Sequence, residues 1–264
     1  LHRTIARQLL RNLAPLASEL TSPLALAYAI LGLAQATTTA PTCRTSLREA
    51  ARRLDSAIVE NPEWHWYEPE LRCDDARLPQ ALLAAAVRLS NPSWAEHALP
   101  TLDWYLGRVG MADGQPRLRC AGGRKFDGDR RSGGDGQRGG NSDSGGDRKA
   151  APDSDDERSL DAAALVVALV AAWQVTGQPR YPRLARVAFG WFHGDNRAGL
   201  PVYDASTGGC RDRLSRSGVG ANQGAAATLA YHEALAAMRG AGLINSCGGG
   251  DSCASAGGMC ALRA

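Results

Sequence analysis

Apolar residues recur at helical spacing through most of the chain, and the breaks between runs fall at proline, glycine and asparagine. From Ala6 to Ala36 two helical runs are separated by Thr21, Ser22 and Pro23, where Ser22 can cap and Pro23 can take the first helical position. That pattern predicts an antiparallel hairpin. Leu47, Ala51, Leu54 and Ile58 form the stripe of a third helix, which Asn61-Pro62 stops. Leu78, Leu82, Ala85 and Leu89 mark the next, and Asn91-Pro92-Ser93 separates it from a helix carrying Trp94, Leu99, Leu102 and Leu106. After a long polar interval, an almost wholly apolar run from Ala162 to Trp173 predicts a helix covered on all sides. Thr176-Gly177 ends it, Tyr181, Leu184, Ala188 and Trp191 form the stripe of its partner, and a small-residue helix runs to about Gly240. No stretch shows a convincing strand alternation.

About eight helices grouped in pairs, with the connecting loops carrying the polar chemistry, predict an all-α domain of stacked helical hairpins. An open solenoid should show a sequence period, and none is visible. A closed or partly closed (α/α) toroid needs inner helices that are apolar throughout, which suits the run from Ala162 to Trp173. The expected organisation is therefore a first part of the toroid over 1–120, an insertion over 121–156, the remainder over 157–243 and a flexible tail over 244–264. The insertion is composed of Gly, Asp, Arg and Ser with Phe126 as its only large apolar side chain, a composition that stays solvated and disordered.

Composition narrows the function classes. The chain has 264 residues, ordinary hydrophobic content at 44%, and a formal charge of +3 that is spread along its length. Nothing in this balance calls for nucleic acid or an anionic membrane surface. The longest apolar run is shorter than the ~18 residues that suggest a membrane span. Seven cysteines are scattered without the close pairs of zinc sites or disulfide scaffolds, so no metal or cofactor is expected, and a reducing intracellular compartment is favoured. The chain opens on Leu1 without a charged-then-apolar leader, which reads as a domain excised from a longer protein.

The densest chemistry lies in residues 64–79, WHWYEPELRCDDARLP. Pro79 sets the start of the following helix no earlier than about Asp75, so the acids occupy its lead-in and first turn. Rings beside acids at a helix mouth suit a polyhydroxylated ligand, offering flat faces for stacking and acceptors for hydroxyls. Any single Asp there also reads as a helix cap. Glycoside hydrolysis needs two carboxyl groups across a sugar. Glu68 is the candidate acid, desolvated by its aromatic neighbours, and Asp74 or Asp161, at helix starts that favour the charged form, the candidate base. Trp64, Trp66, Tyr67 and Tyr203 are candidate sugar platforms. Asp75, Arg77, Asp204, Asp212 and Asn222 are candidate substrate ligands, the last three in or beside the glycine-rich loop GLPVYDASTGGCRDRL that starts at Gly199.

These two segments resemble a bacterial domain found C-terminal to family 4 glycosyltransferases, an α/α toroid similar to six-hairpin glycosidases. Trp66, Tyr67 and Glu68 match its aromatic-acidic element, and Asp74, Ala76, Arg77, Leu78 and Pro79 its Tyr-Asp-Asn-Ala-Arg-Leu-Pro segment, with Cys73 and Asp75 at the positions of the tyrosine and asparagine. Pro69 stands where the family has a second acid. Pro201 to Asp204, Thr207 to Cys210 with Asp212, and Asn222 to Ala225 resemble three later elements, the last with Ala226 and Ala227 in place of a glutamate and a serine. Ser22, Pro23, Ala25 and Leu31 to Leu33 resemble an early one. The resemblance implies a toroid of which this chain holds part, a carbohydrate substrate or glycan, and a glycosyltransferase domain in the same parent chain. It leaves two functions in competition: an enzyme acting on glycosidic bonds, and a non-catalytic helical module that binds glycans or packs against a transferase.

Overall fold

The computed structural model describes residues 2–36, 41–61, 63–111 and 156–244. The expected insertion, apart from Asp156, and the expected tail, apart from Ile244, lie outside the described residues. The fold is predominantly helical, with helices α1 (His2–Leu13), α2 (Pro23–Gln35), α3 (Pro41–Asp55), α4 (Arg77–Leu89), α5 (Pro92–Arg108), α6 (Ser159–Thr176), α7 (Arg180–Gly190) and α8 (Ala225–Gly240).

The helix boundaries follow from local chemistry. Ser22 caps α2 by accepting from the Ala25 N–H, Asn91 caps α5 by accepting from Ser93, and Pro23 and Pro92 open the helices behind them. Gly177, with φ of +67°, closes α6 in the left-handed conformation that glycine adopts without a Cβ clash.

α2 packs against α4, α4 against α6, and α6 against α8, while α3, α5 and α7 cover the row from outside through contacts with α2, α4 and α6. α6 is long and apolar enough to cross a membrane by length and composition, yet it is wrapped by α4, α7 and α8, and its first turns are buried almost without interruption. One expected pairing differs. A 3-10 helix over Ala14–Glu19 carries the chain sideways, so α1 meets that turn and α3, and α2 takes α3 and α4 as its main partners. The apolar residues of α2 lie all around it, a surface that a single amphipathic neighbour cannot cover.

Short antiparallel ladders join the loops: β1 (Val59–Glu60) with β2 (His65–Trp66), β3 (Glu157–Arg158) with β6 (Arg213–Ser215), β4 (Tyr203–Asp204) with β5 (Gly209–Cys210), and β6 with β7 (Gly218–Val219). Strands of two or three residues are too short to show a period of two, which is why the sequence predicts none. The ladder of β3 with β6 is positional. It pins the glycine-rich loop to the start of α6, assisted by the Ser159 N–H donating to the Asp212 carbonyl at 3.2 Å.

Candidate functional site

Between β2 and α4 the chain makes an irregular turn whose geometry decides where each acid points. The residue before α4 is Ala76, so no side chain caps this helix, and the carbonyls of Asp74 and Asp75 accept from the Arg77 and Leu78 N–H groups instead. Asp74 sits at φ +68°, a left-handed conformation that aspartate tolerates better than most residues but at some strain. One consequence is divergence. The Asp74 carboxyl accepts from the Tyr28 hydroxyl on α2, whereas Asp75 Oδ2 accepts from the Trp66 indole at 3.3 Å and the Arg72 N–H at 2.7 Å. The Asp74 N–H donates to Asp161 Oδ1 in the first turn of α6, so the mouths of α4 and α6 are bonded to each other.

Glu68, Asp74, Asp75 and Asp161, distant in sequence, are thereby gathered into one buried group. Burial dominates their electrostatics: it pushes Asp74 up to about 6, Asp161 to about 7 and Asp75 to about 8, and raises Glu68 as well. Neighbouring carboxylates push in the same direction. Opposing them, Arg77 lowers Asp74, the bonds from backbone N–H groups lower Asp75 and Asp161, and Arg72 lowers Glu68. The expectation that helix starts hold Asp74 and Asp161 as ordinary charged bases is corrected here, because desolvation outweighs the dipole. Glu68 Oε2, Asp75 Oδ1 and Asp161 Oδ2 are buried without a hydrogen-bond partner among the described residues, which suits carboxyl groups holding protons.

Arg77 links this group to solvent. Its Nε lies 3.4 Å from Asp74 Oδ1, and its two terminal nitrogens grip Glu233 of α8 at 2.7 and 2.5 Å in a bidentate pair. The Glu233 side chain is 47% exposed and Tyr28 is 49% exposed, so Asp74 is the buried acid flanked by the accessible groups. Neither Tyr28 nor Glu233 is singled out by the sequence. Each sits in a helix made mostly of apolar or small residues, and only the packing of α2 and α8 brings them to Asp74.

The proposed sugar platforms are placed differently from the expectation. Trp66 is fully buried, stacked on Trp104 and Tyr105, with Tyr67 against its edge. Trp64 is buried edge-on to Trp104, and the Tyr67 hydroxyl is engaged with Thr101. These rings form the wall that desolvates the acids and leave no open face for stacking. Asp75, with no exposed surface, is likewise a partner of Trp66 and not a substrate ligand. Cys73 is disulfide-bonded, whereas the cysteine spacing suggests no pair.

The glycine-rich loop forms a second group. Tyr203 stacks on Tyr231 with ring centres 3.9 Å apart, and Asp204 accepts from Ser206 and Gln223, which holds its carboxyl below the usual range. Asp212 accepts from the Asn222 amide and, at 2.8 Å, from the Gly224 N–H. Asp212 and Asn222 line a cavity of about 600 Å³ together with Arg158, Leu160, Arg213 and the first residues of α8, whereas Tyr203 and Asp204 do not line it. Arg158 and Leu160 stand just before Asp161 in the chain, and the Arg158 charge lowers the Asp161 carboxyl, so the cavity wall lies beside the acid group at the start of α6. Among the described residues no cluster of three or more His, Cys, Asp or Glu side chains is arranged to hold a metal ion.

No family model matches the chain, and no curated protein matches it.

Proposed function

We propose that this chain is a carbohydrate-active domain, part of an (α/α) toroid, whose acid centre around Asp74 acts on glycosidic bonds. The observation that carries this reading is the gathering of Glu68, Asp74, Asp75 and Asp161 from two separate helix mouths into one desolvated group, with Tyr28, Arg77 and Glu233 leading from it to solvent. A carboxyl raised to about 6 holds a proton near neutral pH and can donate it to a leaving oxygen. Glu233, exposed and gripped by Arg77, supplies the complementary carboxylate. The sequence resemblance and the alternation of α2, α4, α6 and α8 in one row with α3, α5 and α7 outside support the toroid, since inner and outer helices alternate in that architecture.

The role of acid thus moves from Glu68 to Asp74. Asp161 accepts from the Asp74 N–H and holds the turn that carries it, Glu68 lies near Asp75, and Arg77 orients Asp74 and Glu233 together. A glycosyltransferase domain in the parent chain remains part of the proposal, carried by the resemblance alone. The alternative is a non-catalytic helical module that binds glycans or packs against a transferase, favoured by Pro69 and Ala226 standing where the resembled domain carries acids.

A panel of oligosaccharides incubated with wild type, Asp74→Asn and Glu233→Gln separates the two readings. The enzyme reading expects product release by wild type and a loss of about a hundredfold or more in each variant. Glycan binding without product, unchanged in Asp74→Asn, identifies the binding module.

A further inference from the structure

The cavity beside the acid centre has a chemistry of its own. Its walls carry two guanidinium groups, Arg158 and Arg213, which the β3 to β6 register places opposite each other. Arg213 is tied to Asp156 at 3.2 Å. Arg158 is half-buried, its guanidinium makes no hydrogen bond or ion pair among the described residues, and its charge acts on the Asp161 carboxyl. The one carboxylate in the wall, Asp212, is already occupied by the Asn222 amide and the Gly224 N–H. The remaining lining is Leu160, Gly220, Ala221 and Gly224 through Ala227, and the first turn of α8 has no acid and no side-chain cap. A roomy cavity lined by two guanidinium groups, one of them without a hydrogen bond among the described residues, and otherwise mostly by small residues is suited to an anion.

The cavity also has a direction. Ala226, Leu229 and Glu233 are all exposed and lie on one face of α8, so the helix leads from the cavity to the Arg77–Glu233 pair over a rise of about 10 Å. That span exceeds a single monosaccharide. Resting on the glycosidic reading above, we propose that the substrate is an acidic oligosaccharide whose carboxylate or phosphate group is held in this cavity by Arg158 and Arg213 while a neighbouring linkage lies at Asp74.

The test measures calorimetric binding of paired trisaccharides of one linkage, one neutral and one carrying a terminal uronate, to wild type, Arg158→Gln and Arg158→Lys. A sugar phosphate forms a third arm. Wild type is expected to prefer the uronate or the phosphate by about tenfold or more, with the preference shrinking as salt is added. Arg158→Gln loses that preference while keeping its affinity for the neutral sugar, and Arg158→Lys keeps part of it, which separates lost charge from lost fold. A tighter phosphate than uronate assigns the anion as phosphate; the reverse assigns it as carboxylate. Equal affinity for acidic and neutral sugars, or a preference that survives Arg158→Gln, overturns the proposal. Cleavage of glycans without an acidic preference removes the subsite and leaves the glycosidic reading intact. A preference that depends on Arg158 without cleavage of any glycan keeps the anion subsite and removes the glycosidic reading.

Discussion

At the scale of single residues, the competition between desolvation and pairing decides what Asp74 is. Its burial raises the carboxyl, and Arg77 is the chief group holding it down to about 6. Replacing Arg77 with methionine should therefore move Asp74 further up, and the shift is readable by carbon-13 NMR of the carboxyl. It should also lower stability by about 1–3 kcal/mol, since the buried guanidinium satisfies Asp74, Gln80 and Glu233 at once. A chemical-denaturant midpoint checks the second part, and an unchanged Asp74 titration would show that the arginine serves Glu233 alone. Asp74 and Arg77 stand out in the sequence because they crowd a helix mouth with charge. Tyr28 and Glu233 do not, since a residue that becomes part of a site only by helix packing leaves no local mark.

Among elements, the helices were legible and the joints were not. Ser22, Pro23, Asn91, Pro92 and Gly177 mark their boundaries by backbone chemistry that acts within a few residues. The ladder of β3 with β6 connects residues more than fifty positions apart through two residue pairs, too few to leave a periodic signal. In the sequence the aromatic segment before α4 suits a ligand platform as well as a desolvating wall, because rings beside acids serve either; burial alone separates the two. Trp66 is therefore predicted to matter for stability. Trp66→Ala removes a fully buried ring stacked on Trp104 and Tyr105 and should cost about 3–5 kcal/mol in thermal unfolding. It should also remove the Trp66 partner of Asp75. A stable, folded Trp66→Ala protein that has lost only sugar binding would restore the platform reading.

For the whole molecule, the raised carboxyls make stability depend on pH in an unusual direction. Asp74, Asp75 and Asp161 bind protons more tightly when folded than at their ordinary value of 3.8, so their contribution is full below that value. It is lost as pH rises through about 6 to 8. The melting temperature should fall across that window, and Asp161→Asn should flatten the fall, as a series of melts at constant ionic strength would reveal. The same protons are what the proposed chemistry needs. The most direct measurement is a carbon-13 titration of the aspartate carboxyls with and without a bound oligosaccharide. The account predicts aspartates titrating between about 6 and 8, with the Asp74 signal shifting when the sugar binds. Aspartates that all titrate in the ordinary range near 3.8, undisturbed by any sugar, would contradict it.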